Sequence, residues 1–227
     1  MKKLIALAAA AALTAASLFA ENTLHIGASF PISPFSADAD VSGNTKTEDF
    51  SQTGVDFVFD YTHVADSGFA FKVGFDAGYV SSGDMKSYEV KNYGLKEKDD
   101  ASGIDFAFGV GFGGSPIHNE RMTLSIFGDF GFRYQTFELF SADIAGEHYE
   151  VDFDDFLFYI GPEVSYTFRF NNHIGLFANF GMFYNIGYGS MSYAEDHDNN
   201  AKGYFGDADY IVSGISFQPK IGLAVTF

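Results

Sequence analysis

From residue 23 onward, apolar side chains recur at every second position in eight separate stretches. In TLHIGASF they are Leu24, Ile26, Ala28 and Phe30, and in GVDFVFDYT they are Val55, Phe57, Phe59 and Tyr61. Longer runs keep the same period: Phe69, Phe71, Val73, Phe75, Ala77 and Tyr79, then Ile104, Phe106, Phe108, Val110 and Phe112. The second half repeats it from Met122 to Tyr134, from Phe156 to Phe168, from Ile174 to Tyr188 and from Ile215 to Phe227. A period of two marks a strand with one face in an apolar medium, so the pattern predicts eight strands and an all-β fold.

The connectors alternate in length. Residues 63–68, 114–121 and 169–173 are short and carry Gly, Pro, Asn and Asp, whereas 31–52, 81–102, 136–153 and 189–210 are long, polar and acidic. With both chain ends on one side, every short turn falls on that side and every long loop on the other. This is the plan of an eight-stranded antiparallel up-and-down transmembrane β-barrel with short periplasmic turns and four long extracellular loops.

The opposite face of each strand decides which side meets lipid. It carries Asp56, Asp60, Lys72, Asp76, Asp105, Asp129, Arg133, Glu163, Asn179 and Asn185 among many glycines. A soluble barrel would turn its apolar face inward, but eight Phe-lined strands overfill an interior that only just admits side chains. Lipid outside and polar residues inside packs better. Tyr61, Tyr79, Tyr134, Tyr166 and Tyr188 fall at strand ends, where they form two interfacial girdles. Pro162 and Pro219 lie inside strands and predict bulges, and the Asp154–Asp155 pair interrupts the alternation and predicts a register change there.

The first residues, MKKLIALAAAAALTAASLFA, read as a secretory signal: two lysines, an apolar run from Leu4, and small residues towards Ala20. Cleavage there leaves residues 21–227 as the barrel. No cysteine is available for a lipid anchor or a disulfide framework. Losing Lys2 and Lys3 and no acid leaves 11 basic and 30 acidic residues, a formal charge of −19, which repels nucleic acid. With 28 Phe and an 18% aromatic content, the chain is unlike a disordered acidic one.

The tail KIGLAVTF resembles the C-terminal β-signal of bacterial outer-membrane proteins, whose pattern of polar, Gly, apolar and aromatic residues is matched by Lys220, Gly222, Val225 and Phe227. The resemblance implies delivery by the barrel-assembly machinery. The whole mature chain looks like the small eight-stranded barrels of the OmpX, OmpW and OmpA-barrel type, which implies a monomer in outer-membrane lipid with no cofactor.

Candidate chemistry is sparse. The turn at 63–68 is expected to set Asp60 against Lys72, and the next hairpin Asp105 near Arg133, while Asp129 and Glu163 have no obvious cation. Such charges make either a polar plug or a narrow conducting path, and the plug is favoured because buried charges must pair in a filled lumen. In DHDNNAKGYFGD, Asp196, Asp198, Asn200 and Asp207 fall at positions 1, 3, 5 and 12 of a calcium-loop pattern, but Ala201 replaces its required Gly. The four long connectors carry −3, −1, −5 and −4, or −13 together, so divalent cations or a basic surface partner are the expected ligands. His148 and His197 lie in acidic connectors without a nucleophile, and no enzyme is expected. The function predicted is a surface-interaction or structural barrel; the alternative is a narrow porin-like channel or a conduit for small hydrophobic solutes.

Overall fold

The computed structural model describes residues 21–41, 44–91, 94–144, 147–197 and 201–227. The proposed signal segment 1–20 and the side chains at 39–44, 90–95, 140, 142–150 and 191–208 lie outside the described residues.

Nine strands form one closed sheet: β1 (Glu21–Ser29), β2 (Ile32–Val41), β3 (Asn44–Val64), β4 (Phe69–Lys91), β5 (Gly94–His118), β6 (Met122–Ile144), β7 (Glu147–Arg169), β8 (Ile174–His197) and β9 (Ala201–Thr226). β1 and β2 are one barrel strand interrupted at Pro31, which has no N–H to donate. Both pair with β3 in a single register, Ser29 opposite Asp56 and Ile32 opposite Thr53. Both also pair with β9 in a single register, Ser29 opposite Lys220 and Ile32 opposite Phe217. Around the wall there are therefore eight antiparallel strands, and β9 closes on β1 as the alternating tail requires. At that seam Gly27 faces Gly222. A Cβ on Gly222 would lie 2.5 Å from Gly27 Cα and 2.7 Å from Phe177 Cε1, so the strands close tightly only with glycine there.

The short turns follow their side-chain chemistry. Gly68 takes a positive φ of 80°, the left-handed conformation that glycine adopts at no steric cost. Asn119 Oδ1 accepts from the backbone N–H groups of Arg121 and Met122, and Asn171 Oδ1 does the same for His173 and Ile174.

The long connectors differ from the loops expected. They continue the ladder, so that β3 to β9 each run 21–26 residues. About 9–11 residues carry a tilted strand across a bilayer, and the remainder stands outside as four β-hairpins. The outward face of these extensions meets water, so Thr45, Thr47, Asp49 and Ser51 are exposed there. The apolar residues move to the inward face: Phe35, Phe50, Leu157, Tyr210 and Val212 pack together inside, with Met85 and Phe153 against them.

That reversal corrects two expectations. β7 pairs without a shift through Asp155 opposite Gln135, Asp154 opposite Thr136 and Phe153 opposite Phe137. Alternation breaks at Asp154–Asp155 because the outer medium changes, so that Phe156 and Phe158 face out while Phe153 packs against the inner cluster. No bulge occurs at Pro162 or Pro219 either. Pro162 sits in register opposite Gly128, and Pro219 opposite Phe180. Each proline drops ladder bonds without displacing its strand, and the shifts fall instead at Gly114/Ile117 and in the hairpin extensions.

Candidate functional site

The alternation that sends Phe57, Phe75, Phe108, Phe132, Phe158 and Ile186 outward sends charge inward. Asp60, Lys72, Asp105, Asp129, Arg133 and Glu163 are all buried in the lumen, joined by Asp56, Asp76 and Lys220. Their pairing differs from the one read off the strands. Lys72 lies opposite Thr62, not Asp60. Its ammonium instead reaches across the barrel to Asp129 and to Glu163 Oε1, the latter at 2.5 Å. The two carboxylates that lacked a cation in the sequence thus share one. The cross-lumen reach explains the error, since hairpin register reports only nearest neighbours while a lysine spans a narrow barrel.

Asp60 belongs to a second cluster, centred on Lys220. The Lys220 ammonium lies 2.9 Å from Asp76 Oδ2 and 3.5 Å from Asp60 Oδ2. Lys220 sits on the inward face of the terminal strand, so the signal for its lumen role was its alternation with Gly222. Arg133 lies near Asp105, with Nε 3.4 Å from Oδ2. Asn179 Nδ2 donates to Glu163 Oε1 at 3.4 Å.

Apolar and aromatic side chains fill the space between these clusters, and sequence reasoning passed over them. Phe127, Phe177, Phe183 and Val58 are buried inside. Phe177 stacks on His25 at 4.5 Å, and His25 Nε2 lies 3.0 Å from Thr167 Oγ1. Phe183 meets Tyr159 edge-on at 5.2 Å. The void among Asp60, Lys72, Asp76, Asp129, Glu163 and Lys220 measures about 10 Å³, room for no more than one water. At the turn side, Arg169 pairs with Glu21 and its Nη2 donates to Thr123 Oγ1 at 3.1 Å. At the far side Phe35, Phe50, Leu157, Tyr210 and Val212 pack together in the interior, and Tyr210 Oη donates to Asp155 Oδ1 at 2.5 Å.

Tyr79, Tyr134 and Tyr188 face outward near the start of the extensions, and Tyr61 and Tyr166 lie near the turns. Lys220 and Gly222 of the tail face the lumen side, whereas Val225 and Phe227 are exposed. Asp198 and Asn200 of the calcium-loop pattern lie outside the described residues, as do the side chains of Asp196, Asp207, His148 and His197. Among the described residues, no three carboxylates or imidazoles converge in a metal-ligating group.

No family model matches the chain, and no curated protein does. Among solved structures, the outer membrane protein OprG from Pseudomonas aeruginosa aligns with a TM-score of 0.52 at 13% identity, over 92% of this chain and 96% of that one. The outer membrane protease OmpT from Escherichia coli aligns at 0.46 and 10% identity, over 92% and 96%. Ail, the attachment invasion locus protein of Yersinia pestis, aligns at 0.42 and 11% identity, over 92% and 100%. The likeness to OprG is one of fold. Together with an outer wall of exposed Phe, Ile, Leu and Tyr along β2 to β9, it defines the molecule as a small β-barrel of the outer-membrane type.

Proposed function

We propose that this barrel works at its surface: the lumen is closed to ions, and the acidic hairpins bind divalent cations or a basic partner. The observation that carries this reading is the double closure of the bore. Clustered charges and inward rings occupy the membrane level around a void of about 10 Å³, and an apolar cluster packs inside towards the extracellular end. A pore needs a continuous wet path, and a packed apolar seal opposes one. The segments 136–153 and 189–210, with formal charges of −5 and −4, are the strongest attractors for cations.

The test is conductance of the refolded protein in a planar bilayer, after its folded state is checked by the gel shift between unheated and boiled samples. A folded, electrically silent barrel is expected, together with calorimetric binding of calcium or oligolysine that weakens when 140–150 is replaced by a short turn. Discrete conductance steps that change in Asp129→Ala would overturn the reading in favour of a narrow channel.

A further inference from the structure

Where the polarity of the wall reverses, its outer surface carries a groove of about 300 Å³ across β6, β7, β8 and β9. Its floor is a row of three rings that register sets side by side, Tyr134 opposite Phe156 and Phe156 opposite Tyr188. Two residues farther along each strand, on the same outward face, Asp154 stands opposite Ser190, and Ser190 opposite Asp209. One row the other way, towards the membrane, Phe132, Phe158 and Ile186 continue the track as exposed apolar wall.

The groove is chemically one-sided. Among the described residues, no lysine or arginine lines it. Tyr134 Oη donates to Asp154 Oδ1 at 2.8 Å, which holds a carboxylate above the ring row. Tyr188 is 71% exposed, more than any other large apolar or aromatic side chain among the described residues, so its ring stands clear of its neighbours. Aromatic faces beneath carboxylates attract an organic cation: the ring quadrupole and the acids both favour positive charge, and both act more strongly where water is scarce. A metal ion would have to shed its tightly held water to reach the rings, whereas a weakly hydrated organic cation would not.

Position selects the source of that cation. The rings lie at the boundary of the lipid-facing wall, with apolar wall below for acyl chains and carboxylates one step farther out. A zwitterionic phospholipid has the same order along its length: chains, then phosphate, then the ammonium outermost. We propose that this groove is a binding site for a zwitterionic phospholipid, whose headgroup ammonium sits over Tyr134, Phe156 and Tyr188 beside Asp154 and Asp209.

The experiment is native mass spectrometry of the full refolded barrel. It would be released from mixed micelles holding equal amounts of phosphatidylcholine and phosphatidylglycerol with identical chains. Wild type is expected to retain phosphatidylcholine over phosphatidylglycerol by about fivefold to tenfold, the range a partly desolvated cation–π contact gives. Tyr188→Leu keeps the apolar wall but removes the ring, and Asp209→Asn removes one carboxylate; each should bring retention close to even. Both positions face outward, and the gel shift verifies that each variant folds. Equal retention by wild type, or a preference unmoved in both variants, would overturn the proposal. Free tetramethylammonium bound as tightly as the lipid would overturn the assignment of a lipid as occupant.

Discussion

The two halves of the barrel solve the same packing problem with opposite polarity. At membrane level the outer wall is Phe, Ile and Leu, and the interior holds Lys72, Arg133 and Lys220 among six carboxylates, Asp56, Asp60, Asp76, Asp105, Asp129 and Glu163. Above the Tyr134–Phe156–Tyr188 row, the outer face carries Thr45, Thr47 and Asp49, and the interior is Phe35, Phe50, Phe153 and Tyr210, with Leu157 and Val212 just below them in the row of Arg133. The strands run through this change in register, β7 without a shift from Phe168 to Asp152. Alternation in a strand therefore reports the solvent on each side, and when the outer solvent changes from lipid to water the apolar residues change faces. The lower half is held by charge pairs in a lipid-clad wall, the upper half by an ordinary hydrophobic core.

The largest effect that separates the halves is expected at Lys72. Lys72→Met leaves Asp129 and Glu163 buried together without their cation, and removing one partner of a buried pair costs about 3–5 kcal/mol. Urea unfolding of the refolded barrel in micelles measures it; a loss near zero would mean that the lumen charges are solvated and the lower half is not closed as described. At the boundary between the halves, Leu157→Ala removes a buried member of the apolar cluster and should cost about 2–5 kcal/mol by the same assay. A smaller loss would show the seal to be loosely packed.

Charge placed on the outer wall sharpens the contrast. Ile160→Arg puts a cation towards lipid about midway between the Tyr134–Phe156–Tyr188 row and Tyr166, where the cost is about 2–4 kcal/mol. Thr47→Arg sits on the exposed face of the extension and should change stability by no more than about 0.5 kcal/mol. Equal costs at the two sites would abolish the polarity boundary. The smallest effect is local. The Ser51 hydroxyl and backbone N–H donate to Asp84 Oδ2 at 2.6 and 2.8 Å and hold its carboxyl below the ordinary aspartate range. Because the folded value is depressed, this contribution is present above the unfolded pKa and is lost as pH falls through the folded one. An NMR titration should show Asp84 returning upward in Ser51→Ala, with wild type the lower of the two.

Much of this architecture was legible beforehand. The eight alternating runs, the three short turns and the closure of the tail on the first strand follow from period and spacing, because each strand of a membrane barrel must show one face to lipid. The inward position of Asp60, Asp105, Asp129 and Glu163 follows from the same parity. The long acidic connectors hid their strands because a hairpin in water shows no apolar outer face, and Asp154–Asp155 resembled a register break for the same reason.

What the chain by itself determined was which residues face in and which face out at membrane level, since alternation is a local property of a strand. Only the closed barrel decided which charges meet. Lys72 reaches Glu163 from β4 to β7 and Lys220 reaches Asp76 from β9 to β4, across a bore whose width depends on strand number and tilt, not on any neighbouring pair of residues. The groove of Tyr134, Phe156 and Tyr188 is likewise tertiary: three rings more than twenty positions apart become one surface because register aligns them across β6, β7 and β8.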